Sequence, residues 1–127
     1  MRALVVDDSR AMRSIIRRHL NDLGIDVEEA GSGAEALRTL GRIAPPDVVL
    51  LDWNMPEMNG LECLRRLRAD EAGARLPVMM VTTESEMNQV SLALEAGANE
   101  YLMKPFDRQG LLEKLLLLGL DPGAKAA

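Results

Sequence analysis

Short uninterrupted apolar runs alternate along the chain with stretches whose apolar residues recur every three or four positions. The first run, Ala3 to Val6, gives way to Asp7-Asp8-Ser9, after which Met12, Ile15, Ile16, Leu20 and Leu23 return at helical spacing. Ser9 or Asp8 can cap that helix and Gly24 can close it. Ile25, Val27 and Ala30 alternate with Asp26 and Glu29, the pattern of a half-exposed strand at a sheet edge. Ser32 and Glu35 have the spacing of a capping box, ahead of a helix striped by Ala36, Leu37, Leu40 and Ile43 and stopped by Pro45-Pro46. Val48 to Leu51 is wholly apolar, ends on Asp52 and breaks at Pro56. A third helix turns Leu61, Leu64 and Leu67 inward and leaves Arg65, Arg66 and Arg68 as a solvated face. Val78 to Val81 is the next apolar run and ends on Thr82. Thr83 and Glu86 repeat the capping spacing before a helix with Met87, Val90 and Leu94 on its core stripe and Gly97 at its end. Tyr101-Leu102-Met103 runs into Lys104-Pro105, and Asp107 can cap a last helix through Leu111, Leu112, Leu115, Leu116 and Leu118, stopped by Gly119.

Five strand-then-helix units imply an α/β fold, a doubly wound parallel sheet with helices on both faces and right-handed crossovers. The alternating second strand belongs at an edge, and the uniformly apolar first, third and fourth strands belong in the middle. That gives the order 2-1-3-4-5, a flavodoxin-like arrangement.

Composition narrows the classes of function. A chain of 127 residues is long enough for one domain with a layered core. Aromatics make up only 2%, so Leu, Val, Ile, Met and Ala fill that core. The net charge of −5 argues against a general nucleic-acid or membrane-surface binder. Cys63 is the single cysteine, which excludes an internal disulfide, suits a reducing cytoplasm, and reads as a buried inert thiol. No charged-then-apolar leader opens the chain and no apolar run is long enough to span a bilayer. The stretch 121–127 has no core residues and is expected to be a short disordered tail. Nothing after Leu118 could fold separately, so residues 1–120 are expected to act without an output domain. His19, the only histidine, lies far from the strand ends and is given no role.

The residues that close the strands carry the chemistry. In a parallel sheet Asp7 and Asp8, Asp52, Thr82 and Lys104 all stand at one edge, where open α/β folds place their ligands. Each alone has an ordinary reading: Asp52 as a cap or loop aspartate, Asp8 as a helix cap, Lys104 as a solvated lysine, Thr82 as a strand or capping residue. Together they suggest more. Three converging carboxylates repel unless a cation joins them, and an oxygen set of that size suits Mg²⁺. A divalent ion, an ammonium and a hydroxyl around one carboxylate describe a site for a phosphoryl group, with Asp52 as the nucleophile that accepts it.

These residues resemble the response-regulator receiver family, and within it the stand-alone chemotaxis regulators. The resemblance runs from Leu4 to about Leu118 and is carried by Val5-Val6-Asp7-Asp8-Ser9, Asp52-Trp53-Asn54-Met55-Pro56 with Gly60, Val81-Thr82, and Tyr101 with Lys104-Pro105-Phe106. It implies that Asp52 takes phosphate from a histidine kinase. It further implies that Asp8, Asp52 and the backbone carbonyl of Asn54 bind Mg²⁺, with Asp7 assisting through water. Lys104 would pair with the phosphate, Thr82 would swing toward it, Tyr101 would turn inward behind it, and the Lys104–Pro105 peptide would be cis. A downstream protein target, the flagellar motor switch among the candidates, and a phosphatase are the other partners implied; nucleic acid and membrane are not.

Some positions depart from the nearest relatives. Thr83 is larger than the alanine or glycine often found there. Glu86 and Met87 stand where motor-binding regulators are lysine-rich, which makes an acidic motor peptide a poorer match. Glu84 and Asn54 occupy positions that tune dephosphorylation in the family. Two other readings remain open from the residues: a Mg²⁺-dependent phosphohydrolase with Asp52 as nucleophile, and a degenerate receiver that binds constitutively. Asn54, two residues after Asp52 where such hydrolases need an acid, argues against the first; the intact Asp8, Asp52, Thr82 and Lys104 argue against the second. A stand-alone receiver in a pathway other than chemotaxis is a further alternative.

Overall fold

The apolar runs form five parallel strands: β1 (Arg2–Val6), β2 (Asp26–Ala30), β3 (Val48–Asp52), β4 (Val78–Thr82) and β5 (Glu100–Met103). The computed structural model describes residues 1–125. Strand order is β2-β1-β3-β4-β5, so the alternating β2 lies at one edge and the fully buried β3 and β4 lie inside. The register pairs Val6 with Leu51, Asp52 with Val81 and Thr82 with Met103, so the strands end close to one line.

Helices α1 (Arg10–Asp22), α2 (Gly33–Leu40), α3 (Gly60–Ala69), α4 (Val90–Glu95) and α5 (Arg108–Leu117) cover the sheet. Alternation along the strands divides the core in two. Leu4, Val6, Val49, Leu51, Val78 and Met80 meet Ala36, Cys63, Leu64, Leu67 and Ala93 of α2, α3 and α4. Ala3, Val5, Val48, Leu50, Met79 and Val81 meet Ile16, Leu20, Leu111 and Leu115 of α1 and α5. Ser9, not Asp8, is the N-cap of α1, its hydroxyl accepting from the Met12 amide at 3.2 Å. That leaves the Asp8 carboxylate uncommitted to the helix. Asn59 and Asp107 cap α3 and α5 in the same way. Ser32 caps α2, but Glu35 reaches one residue further back than a capping box requires, to the Gly31 amide.

The periodic pattern overstates burial at some positions. Ile15 and Leu94 are both nearly half exposed, as is Leu116. The fourth helical region is also divided: Glu84–Gln89 is a 3₁₀ helix and only Val90–Glu95 is α-helical. Arg68 is not part of a solvated face. Its guanidinium donates to the carbonyls of Gly73 and Gly97 and to Asn99 Oδ1. Within the stretch expected to be a short disordered tail, Pro122–Lys125 forms a turn of helix (α6) with Pro122 buried. The Asp121 carboxylate accepts from the Gly123 amide at 3.0 Å and supports that turn. Ala126 and Ala127, the end of the same stretch, lie outside the described residues. No helix among the described residues is long and apolar enough to cross a membrane.

Candidate functional site

Main-chain pairing continues one residue past three of the strands. The Asp7 amide donates to Ala30, the Trp53 amide to Val81 and the Lys104 amide to Thr82. The polar residues at the strand ends are thereby held by the sheet itself. Asp7 and Asp52 are 2% and 5% exposed, whereas Asp8 is open to solvent. One carboxylate oxygen from each lies within 4.8 Å of the others. Lys104 Nζ sits 3.0 Å from Asp52 Oδ1 and 3.4 Å from Asp7 Oδ2. Its peptide bond to Pro105 is cis.

Burial raises the Asp52 pKa to about 6; the Lys104 hydrogen bond opposes this, and the neighbouring Asp7 and Asp8 reinforce it. Lys104 is shifted upward: burial works against its charge, but Asp52 and Asp7 outweigh burial. One ammonium thus faces three carboxyl groups, and the cluster is short of positive charge. Two buried carboxylates beside an exposed one form an all-oxygen donor set that fits a hard divalent cation. Lysine, by contrast, offers a charge but no open coordination position.

The remaining residues singled out from the sequence are placed differently. Thr82 is fully buried, and its hydroxyl donates to Met87 Sδ at 3.6 Å rather than to Asp52. Tyr101 is half-buried against the α2–α3–α4 side of the core, with Lys114 Nζ 4.0 Å from its ring centroid. Lys114 in turn pairs with Glu100 at 3.1 Å. Asn54 is exposed, two residues beyond Asp52. Trp53, next to Asp52, turns its indole into the core with Met55 and Cys63. Cys63 is buried and its pKa is pushed up to about 11 by that burial, which makes it inert.

Residues 3–116 match the family model described as the response regulator receiver domain. The chain belongs to the response regulator receiver family. Chemotaxis protein CheY1 of Helicobacter pylori (strain J99) is 49% identical to this receiver over 123 residues, covering 95% of this chain and 99% of that protein. Among solved structures, chemotaxis response regulator CheY4 of Vibrio cholerae superposes with a TM-score of 0.81 at 36% identity, over 88% of this chain and 92% of that one. The receiver domain of a sensor histidine kinase from Pseudomonas aeruginosa, solved with a magnesium ion coordinated in its active-site cleft, gives a TM-score of 0.81 at 31% identity, over 96% and 97% of the two chains. Receivers of this type are regulatory phosphoacceptors rather than turnover enzymes, which sets aside the phosphohydrolase reading.

Two residues beside this receiver's acidic cluster are not marked by periodicity or by a strand end. The spacing of Met87 puts it on a core stripe and does not reveal that its sulfur faces Thr82. Arg13 of α1 donates to the main-chain carbonyl of Asp7. A basic residue six positions after the acidic strand end Asp7 is the available signal.

Proposed function

We propose that this receiver is a phosphorylation switch in chemotaxis, accepting a phosphoryl group on Asp52 from the phosphohistidine of a histidine kinase. The observation that carries this reading is the Lys104–Asp52 contact of 3.0 Å inside a cluster with Asp7 and Asp8. With a pKa of about 6, Asp52 is mostly ionised at neutral pH and presents an oxygen lone pair. An Asp52 oxygen bonds to phosphorus as the donor's P–N bond breaks, and the departing imidazole takes up a proton. A bound Mg²⁺, held by Asp8, Asp52, the Asn54 carbonyl and, through water, Asp7, would supply positive charge that offsets the transferring oxygens. Lys104 already lies against the accepting carboxylate and can pair with the new phosphoryl oxygens.

The phosphoryl group adds roughly −1.5 to −2 charge and three acceptors next to Thr82. A hydroxyl now bonded to a thioether gains a much stronger acceptor by turning to it. Tyr101, on the same sheet face two positions before the register partner of Thr82, is the second element of the switch. The output is a change in affinity for a protein target, and the chemotaxis relatives favour the flagellar motor switch. Glu86, which accepts from the Thr83 amide, and exposed Glu84 give that region less positive charge than a lysine-rich surface would carry. A phosphatase, and a cytoplasmic location shared with the kinase's phosphodonor, complete the proposal.

Labelling with acetyl [³²P]phosphate and Mg²⁺ tests it. The wild-type chain should take up acid-stable label on one residue, and Asp52→Asn should take up none. Stoichiometric label in the variant would reject Asp52 as the acceptor.

A further inference from the structure

The carbonyl of Asp7 lies one residue past β1, before the chain turns into α1, and the strand register ends at the Val6 pairs. Arg13 fills that place. Its Nη1 donates to Asp7 O at 2.6 Å, while its Nε donates to Glu29 Oε1 on β2 at 2.9 Å. Glu29 is gripped from its other oxygen by Arg17 Nε at 2.7 Å, and Arg17 also reaches the Val27 carbonyl. Burial alone would raise the Glu29 pKa, but the two guanidinium groups hold it below the usual carboxylate range. The Arg13 side chain is only 16% exposed. Through these bonds the peptide that joins Asp7 to Asp8 is tied to the edge strand.

We infer that Arg13 is a positioning residue for the acidic site: its fork, anchored on Glu29, fixes the Asp7–Asp8 peptide so that the two carboxylates are pre-aligned for a divalent cation. The inference rests on the reading of Asp7, Asp8 and Asp52 as a Mg²⁺-binding set. The guanidinium's role here is geometric. Glu29, shared with Arg17, offsets only part of its charge, and a positive charge near the site would by itself oppose a cation rather than attract it. Asp7 is otherwise held by its amide, which donates to the Ala30 carbonyl at 3.1 Å, and by its side chain, Oδ1 accepting from the Ser9 amide and Oδ2 from Lys104. Without Arg13 the main-chain carbonyl between the two acids returns to water, and the turn loses its one anchor on that carbonyl among the described residues.

Arg13→Lys separates geometry from charge, because lysine keeps the positive charge but cannot hold Glu29 and the Asp7 carbonyl together. Mg²⁺ affinity is read by calorimetry and by Trp53 fluorescence on chains shown folded by circular dichroism. Loss of outer supports of this kind typically weakens metal binding about 10-fold or more. Arg13→Lys and Arg13→Met should each weaken Mg²⁺ roughly tenfold, with Glu29→Gln intermediate, and the melting temperature should not rank the variants in the same order. If Arg13→Lys binds like wild type while Arg13→Met binds more tightly, the effect is charge alone and the positioning role is overturned. Unchanged affinity in all three variants would also overturn it. A wild-type chain that gives no Mg²⁺ response would instead overturn the metal-site reading on which this depends.

Discussion

The hydroxyl of Thr82 and the sulfur of Met87 form a hydrogen bond, at 3.6 Å, between the end of β4 and the 3₁₀ segment that follows it. A thioether is a weak acceptor, so the bond satisfies a fully buried hydroxyl without holding it firmly. Met87→Leu keeps the volume and removes the acceptor. Leaving the hydroxyl unpaired should destabilise the unmodified chain by about 1–2 kcal/mol. A phosphorylated chain, in which Thr82 has another acceptor, should lose less. The same substitution should therefore shift the balance toward the phosphorylated conformation, seen as faster uptake of label from acetyl phosphate. Equal destabilisation of both forms would show that Met87 acts only by packing.

Lys104 touches both buried carboxylates, and its removal should separate chemistry from signalling. Lys104→Ala should still accept phosphate. Its Mg²⁺ affinity should rise several-fold, since a competing cation has been removed from the same oxygens. In the wild-type chain, phosphorylation should change amide hydrogen exchange over residues 84–95; in Lys104→Ala that change should be absent. A normal exchange response would move the coupling role to another group.

The raised pKa of Asp52 makes a pH prediction with a definite sign. The ordinary value is 3.8 and the folded value is about 6, so the native state holds this proton more tightly than the unfolded chain. Its contribution to stability therefore falls as pH rises from about 4 to 6 and stays low above that, by roughly 2–3 kcal/mol. Asp52→Asn has no such titration. In metal-free urea denaturation, the stability of Asp52→Asn relative to wild type should increase between pH 4.5 and pH 7.5. Added Mg²⁺ should stabilise wild type selectively and narrow the difference.

Gly60 begins α3 directly beneath the site. Its amide donates to the Trp53 carbonyl at 2.8 Å. A Cβ here would overlap the main-chain oxygen of Asp52 and lie 2.9 Å from Met80 Cε. Gly60→Ala should therefore cost about 1–3 kcal/mol, the scale of overpacking in a tight core. Because the clash is with the Asp52 backbone, it should also slow phosphorylation beyond what the stability loss explains. Thermal melts alongside labelling kinetics would separate the two effects.

The sequence announced the sheet because strands buried on both faces must be apolar throughout, as Val48 to Leu51 and Val78 to Val81 are. It announced the carboxylate cluster for a related reason: a parallel sheet sends every strand's final residue to one edge, so Asp7, Asp52 and Lys104 had to approach one another. Less legible were features decided by neighbours distant in the chain. Ile15 and Leu94 have the right period but face solvent, because periodicity fixes a helix face and not what covers it. Arg68 looked like its exposed neighbours Arg65 and Arg66 until the chain brought Gly73 and Gly97 to its guanidinium. The 3₁₀ winding of Glu84–Gln89 was hidden for another reason, since Met87 and Val90 fit either kind of helix. Local composition reads Pro122 as part of a tail without core residues, but Pro122 is buried.

The Arg68 anchor has a mechanical consequence. Nε and Nη2 both grip the Gly97 carbonyl, at 3.1 and 2.7 Å, and Asn99 Oδ1 joins Nη2 to the Val78 amide at the start of β4. The far end of α4 is thereby clamped to α3 and to the sheet, while its near end continues into the 3₁₀ turn that carries Met87. A displacement begun at Thr82 has to be taken up at that near end, so α4 would pivot like a door on a fixed jamb rather than slide along the sheet.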